Sequence, residues 1–207
     1  LAKVQKLTAI EIDRDLCQHL TAVNKSSHFE LINADALSLN YADIGTGYRI
    51  VGNLPYNIST PLIIHLLSYT KHIQDMHFML QKEVVQRLVA TPGCKNYGRL
   101  SIITQYFCAA DYLFDVPPEA FFPQPKVDSA VVRLTPYLKS PFQEIDPKQL
   151  QSLVAQAFSM RRKTLANNLK KLISAAELIS LGIDPQQRPE QIGIEDYISI
   201  SKSLSLV

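Results

Sequence analysis

Apolar and polar positions along the chain first alternate between short β-branched runs and helical stripes, and then, after Pro136, settle into helical stripes alone. Residues 7–12 are β-branched-rich and end in Glu11-Ile12-Asp13, which predicts a strand; Ile12, Leu16, Leu20 and Val23 follow at helical spacing. Residues 29–32 predict a second strand leading into Asn33-Ala34-Asp35, and residues 48–52 a third, read as buried. Such alternation of β and α is the pattern of a parallel sheet. Thr60-Pro61 reads as an N-cap with a first-turn proline, opening an apolar helix over 62–67. Beyond it the pattern predicts a strand over 76–80 and a helix over 82–90 with Val84, Val85, Leu88 and Val89 inward, stopped by Thr91-Pro92-Gly93. A helix over 99–107 and strands over 112–116 and 127–134 complete this part.

Each of the first three strands ends beside a polar residue: Glu11, Asp35 and Asn53. In a parallel sheet such ends project from one edge, the edge where open α/β sheets bind ligands, so the three are expected to line one pocket. Singly, an acidic residue at a strand end is an ordinary helix cap or a solvated group. What adds to it is Asn53-Leu54-Pro55-Tyr56, which places an amide, an exposed carbonyl and an aromatic ring in one rigid turn, a set that suits a planar base bearing an amino group. The loop at 117–125 holds Phe121 and Phe122 among prolines. Two readings stay open for it: a satellite apolar cluster, or a ring presented for stacking on a base.

In the helical part, Asp146-Pro147 caps a helix with Leu150, Leu153, Val154, Ala157 and Phe158 on one stripe, and Leu165, Leu169, Leu172 and Ile173 give a second. Residues 175–181, stopped by Gly182, and 195–204 predict two more helices, so residues 1–136 and 137–207 are expected to form two domains. Arg161, Arg162, Lys163, Lys170 and Lys171 fall in one stretch without an acidic residue. Such a run is commonly a solvated face; here it decorates a helix, which makes contact with a phosphate backbone the competing reading.

Composition changes this picture little. At 207 residues and 46% hydrophobic content the chain can bury a substantial core, and a net charge of +2 leaves any nucleic-acid contact to rest on where the charges lie. Cys17, Cys94 and Cys108 are odd in number and widely spaced, which predicts free thiols and a reducing compartment, with the cytoplasm as the default. The five histidines are isolated, so no metal site is expected. No apolar run approaches the roughly 20 residues of a membrane span, and the N-terminal residues lack a signal-peptide layout.

Four blocks carry a resemblance: Asn53-Leu54-Pro55-Tyr56-Asn57-Ile58-Ser59-Thr60-Pro61; Met79-Leu80-Gln81-Lys82-Glu83-Val84; Phe121-Phe122-Pro123-Gln124-Pro125-Lys126-Val127-Asp128-Ser129-Ala130-Val131-Val132; and Phe158-Ser159-Met160-Arg161-Arg162-Lys163-Thr164-Leu165. In this order they resemble the bacterial KsgA family of ribosomal RNA adenine dimethyltransferases, from the first strand to the last helix. The resemblance implies an α/β fold, with a Rossmann-like methyltransferase domain over 1–136 and a small all-α RNA-binding domain over 137–207. It implies transfer of methyl groups from S-adenosylmethionine to the N6 atoms of two adjacent adenosines near the 3′ end of 16S rRNA, in the small ribosomal subunit, by a monomer without a metal.

By the same resemblance Asn53, Leu54, Pro55 and Tyr56 are the catalytic residues. Glu11 would hold the ribose hydroxyls of the cofactor and Asp35 its adenine amino group, with Ile12, Ala36 and Asn53 also lining the cofactor. Tyr56 and Phe121 would stack on the target base, and Lys126, Arg161, Arg162, Lys163, Lys170 and Lys171 would grip RNA. Two alternatives stand beside this: a non-catalytic assembly factor that binds small-subunit rRNA, and a related adenine N6-methyltransferase acting on large-subunit rRNA. A DNA-directed enzyme fits less well, because the Phe-x-Pro loop and the basic block match the RNA enzymes. The family opens with a strand and a glycine-rich turn, and no Gly-x-Gly stands before Glu11. That strand would lie between those ending at Glu11 and Asn53, so the chain is expected to be a portion of a longer protein, short by at least roughly the 30 residues of a βαβ opening, with weak or no cofactor binding by these residues alone.

Overall fold

The computed structural model describes residues 5–160 and 162–205. The chain divides into two compact units, Leu1–Gly45 and Thr46–Val207. The first holds β1 (Leu7–Glu11), α1 (Arg14–Val23) and β2 (Phe29–Asn33). β1 and β2 pair in parallel, with Glu11 opposite Asn33. Asp13 caps α1, its carboxylate accepting from the N–H groups of Asp15 and Leu16. That cap starts the helix at Arg14; Cys17 is the buried residue of α1, while Leu16 and Val23 are exposed. The apolar stripe expected from Ile12 onward is therefore not the packed face: Ile12 precedes the cap and is itself exposed.

The second unit holds β3 (Tyr48–Asn53), α2 (Ser59–Leu66), β4 (Ile73–Gln81), α3 (Lys82–Leu88), α4 (Arg99–Phe107), β5 (Cys108–Val116) and β6 (Ser129–Pro136), then α5 (Pro147–Ala157), α6 (Leu165–Leu169), α7 (Ala175–Ser180) and α8 (Ile194–Ser205). Its sheet runs β3-β4-β6-β5. β3 and β4 are parallel, as the alternating pattern predicts, whereas β6 is antiparallel to both β4 and β5. β5 and β6 follow each other through the loop at 117–128 with no helical crossover, and only an antiparallel pair can be joined that way. One face of this sheet is core, with Met76, Phe78, Leu80, Ala130, Val132 and Leu134 at 1% exposure or less. Leu62, Ile63 and Leu66 of α2, Val85 and Leu88 of α3, and Ile102 and Ile103 of α4 are also buried.

β3 is not buried on both sides. Arg49, Val51 and Asn53 alternate outward, and Val51 is 74% exposed. A strand with polar groups two positions on either side of a valine keeps that valine on the polar face, and the apolar neighbours Ile50 and Gly52 hide the alternation in the sequence. Arg49 forms a bidentate pair with the mostly buried Asp75 on β4 at 2.6 and 2.8 Å. This guanidinium holds the Asp75 carboxyl below the usual carboxylate range, against the opposing effect of burial.

α5 begins where the sequence predicts, with Asp146 accepting from Lys148 N–H and Leu150, Leu153, Val154 and Ala157 buried against α4 and α8. A capping box of Ser174 and Glu177 opens α7, and Gly182 at φ 78° closes it. α6 is shorter than its stripe: it ends at Leu169, and Leu172 lies exposed in the turn beyond while Ile173 is buried. Among the described residues no helix is long and apolar enough to cross a membrane.

Candidate active site

The turn after β3 is built by its own hydrogen bonds. Leu54 N–H reaches Met79 C=O on β4 at 3.2 Å, which carries the sheet ladder one residue past the strand. Pro55 C=O accepts from Ile58 and Ser59 N–H, and Ser59 Oγ donates to Tyr56 C=O at 3.1 Å. These bonds draw the start of α2 forward to Ser59, with Ile58 in the cap position and no side-chain cap, so Thr60 is not the N-cap that its place before proline suggests. Pro61 remains in the first turn, where its missing N–H is not needed. Leu54 turns its side chain inward at 8% exposure. A Cβ on Gly52 would lie 2.8 Å from Leu54 Cδ2, so the absence of a side chain there is what lets Leu54 seat. Among the described residues the Asn53 side-chain amide and the Leu54 carbonyl carry no intramolecular hydrogen bond, which leaves two acceptors available on adjacent residues.

Tyr56 is half exposed, and its hydroxyl lies 3.5 Å from Oγ of Ser129, the buried first residue of β6. Gln81, at the end of β4, is the register partner of Ser129, so the turn, the end of β4 and the start of β6 converge. There an open cleft is lined by Gln81, Lys82, Gln86, Lys126 and Asp128. The loop at 117–128 carries Phe121 half-buried and Phe122 fully exposed, with exposed Lys126 further along. At the base of this loop Lys82 Nζ pairs with Asp115 at 2.9 Å, and Tyr112 donates to the other Asp115 oxygen. Lys82 and then Tyr112 hold the Asp115 carboxyl below its ordinary range, while burial and this carboxylate push the Tyr112 hydroxyl up to about 12.

In the first unit Glu11 and Asp35 stand at one edge of the parallel β1–β2 pair, where Ala34 N–H reaches Glu11 C=O at 3.1 Å. Glu11 Oε1 accepts from Asp13 N–H at 2.9 Å, and Asp35 Oδ1 from Leu37 N–H at 2.9 Å. The second oxygen of each carboxylate has no intramolecular partner among the described residues. Ala36 follows Asp35, and its carbonyl accepts from the Tyr41 hydroxyl at 3.1 Å. Two carboxylates with acceptor capacity to spare fit a ligand that offers ribose hydroxyls and an adenine amino group.

A family model described as ribosomal RNA adenine dimethylase matches residues 1–206. The chain belongs to the ribosomal RNA adenine dimethylase family. It is 57% identical to the ribosomal RNA small subunit methyltransferase A of Legionella pneumophila strain Corby, over 99% of this chain and 80% of that relative. It is 52% identical to the protein of the same name from Hydrogenovibrio crunogenus, over 96% and 77%. In fold it is similar to a dimethyladenosine transferase from Plasmodium falciparum, with a TM-score of 0.79 at 23% identity over 97% of this chain and 82% of that one. A 23S rRNA methyltransferase, ErmE, aligns with a TM-score of 0.72 at 21% identity over 99% and 84%. The fold is thus the Rossmann-like α/β fold of rRNA methyltransferases with added helices.

The basic stretch of this adenine dimethylase chain lies around α6. Arg162, Lys163, Lys170 and Lys171 are exposed, and among the described residues none of them makes an ion pair. Arg161 lies outside the described residues. The stretch is pinned by a residue that spacing does not single out: Asn168, 1% exposed, accepts from Met160 N–H at 3.2 Å and Ser159 Oγ at 3.3 Å. Its Nδ2 faces the carbonyls of Met160 and Lys163 at 3.3 and 3.4 Å. Ser129 and Asn33 are likewise placed by strand register against partners far away in sequence; the one usable sequence signal was a polar residue at a strand boundary.

Proposed function

We propose that this chain transfers methyl groups from S-adenosylmethionine to the N6 atoms of two adjacent adenosines near the 3′ end of 16S rRNA in the small ribosomal subunit. The observation that carries the reading is the Asn53–Tyr56 turn, with two unused acceptors and a half-exposed ring at a strand end. An exocyclic adenine nitrogen is a poor nucleophile because its lone pair is delocalised into the ring. In the first transfer the Asn53 side-chain oxygen and the Leu54 carbonyl would each accept one N6 hydrogen, and in the second the one remaining hydrogen would keep one of these bonds, which favours a pyramidal nitrogen whose lone pair points away from the acceptors. Pro55 restricts the turn that sets the spacing of these two oxygens. Tyr56 would stack on the adenine after it leaves its own stack, with Phe121 as the second ring.

Glu11 would take the cofactor's ribose hydroxyls and Asp35 its adenine amino group, with Ile12 and Ala36 beside them. Bound there, the cofactor supplies an electrophilic sulfonium methyl, so no strong base is required and alignment is the main contribution of the protein. Lys126, Arg161, Arg162, Lys163, Lys170 and Lys171 would neutralise RNA phosphates, with residues 137–207 as the RNA-binding part. The names of the relatives support a catalytic reading over a purely structural assembly factor. Methyl incorporation compared across immature small subunits, large-subunit RNA and duplex DNA tests the proposal. Labelling confined to small subunits is the expected outcome, and labelling of large-subunit RNA or DNA instead would overturn it.

A further inference from the structure

The link from β1 to α1 is two residues long, Ile12 and Asp13, and a side chain from the end of β2 reaches it. Asn33, the last residue of β2, points its Nδ2 at Glu11 C=O at 2.9 Å and Ile12 C=O at 3.2 Å. The same Glu11 carbonyl also accepts from Ala34 N–H at 3.1 Å and lies 3.5 Å from Cys17 Sγ. The Ile12 carbonyl and the Asp13 N–H belong to one planar peptide unit, so fixing the direction of the carbonyl fixes the direction of the N–H. That N–H is the group that holds Glu11 Oε1 at 2.9 Å. A continuous physical connection therefore runs from the Asn33 amide, through the 12–13 peptide plane, to the Glu11 carboxylate.

We propose that Asn33 is a positioning residue for recognition of the methyl donor's ribose, acting by fixing the rotation of the 12–13 peptide and through it the aim of the Glu11 carboxylate. The proposal rests on the reading of Glu11 as the ribose acceptor. Asn33 does not touch the ligand in this scheme. A ribose diol needs two acceptors in a defined plane, and a carboxylate free to rotate presents them only part of the time. A bland strand staple would stabilise the unit without distinguishing one ligand from another, whereas an aiming role acts only on ligands that carry the hydroxyls.

Calorimetric binding of S-adenosylhomocysteine and of its 2′,3′-dideoxy analogue to the wild type, Asn33→Ala, Asn33→Asp and Asn33→Gln separates the two. The Ala and Asp variants are expected to bind S-adenosylhomocysteine roughly tenfold more weakly, the loss of a hydrogen-bonded orientation. The dideoxy analogue is expected to bind all four proteins alike, and Asn33→Gln, which keeps the donor, to recover much of the loss. With saturating donor, kcat of the Ala variant should equal that of the wild type while KM for the donor rises. Unchanged affinity in both the Ala and Asp variants, or an equal loss for both ligands, would overturn the role of Asn33. Asn33→Asp keeps the side-chain volume, so it carries the test if the Ala variant does not fold. A wild type that binds both ligands with the same affinity, with and without the ribose hydroxyls, would instead defeat the reading of Glu11.

Discussion

The hydroxyls of Tyr56 and Ser129 lie 3.5 Å apart although the residues are 73 positions apart in the chain. Ser129 is 2% exposed, and Tyr56 supplies the hydroxyl partner its buried Oγ has in the structure. Removing only the Tyr56 hydroxyl should therefore cost about 1 kcal/mol of stability by leaving Ser129 with a lost hydrogen bond. Tyr56→Phe keeps the ring and should retain most of its methylation, while Tyr56→Ala should lose it at least tenfold by removing a stacking surface. Denaturant titration paired with methyl incorporation reads both effects. Equal activity losses in the two variants would mean that the hydroxyl, not the ring, is what matters.

Gly52→Ala places a methyl 2.8 Å from Leu54 Cδ2 and 3.6 Å from Phe78 Cδ1, where a fully buried ring restricts relief. The expected cost is about 1–3 kcal/mol, as for other overpacked sites. Because the Leu54 side chain must repack beside the turn, activity should fall further than stability alone explains. Comparing kcat at a temperature where the variant is still fully folded isolates that effect.

Much of this was legible beforehand, and the parts that were not share a cause. α4 spans 99–107 as its pattern predicts, and Asp146 and Gly182 mark helix ends by local hydrogen bonding and backbone conformation, which a few adjacent residues determine. The packed face of α1 went unread because Cys17, its buried residue, lies off the apolar spacing of Leu16, Leu20 and Val23. The outward alternation of β3 becomes plain only when Arg49 finds Asp75, 26 positions away on the neighbouring strand. At the candidate site, the turn after β3, with its amide, carbonyl and ring, could be read from its own four residues. Ser129, Asn33 and Asn168 could not, since their roles depend on strand register and helix packing that bring distant segments together.

The Arg49–Asp75 pair makes a pH prediction. The Asp75 carboxyl is depressed in the folded protein, chiefly by Arg49, from the ordinary value of 3.8. The unfolded state thus takes up the proton first as the pH falls, and stability is lost on acidification. The pair's contribution should be fully present above the ordinary carboxylate range and fade below 3.8. Melting temperatures of wild type and Asp75→Asn should differ at neutral pH and converge as the pH drops through that range. A constant difference down to pH 2 would rule out this linkage.

Asn168→Ala removes a buried amide that serves the backbone of Met160 and Lys163. A loss of about 2 kcal/mol is expected, with the freed Met160 N–H left without its partner. Because those contacts hold the segment carrying Lys163, affinity for small subunits should fall and its salt dependence weaken, both measurable by filter binding across a salt series.

Asn53→Ala removes one of the two acceptors at the turn, at an exposed position with no intramolecular side-chain bond to lose among the described residues. The most direct measurement is transfer of labelled methyl groups from S-adenosylmethionine to immature small subunits by wild type and Asn53→Ala, with melting temperature as the control for folding. Dimethylated adenosines are expected with the wild type and none detectable with the variant, at nearly equal melting temperatures. Wild-type turnover by a folded Asn53→Ala protein would contradict it.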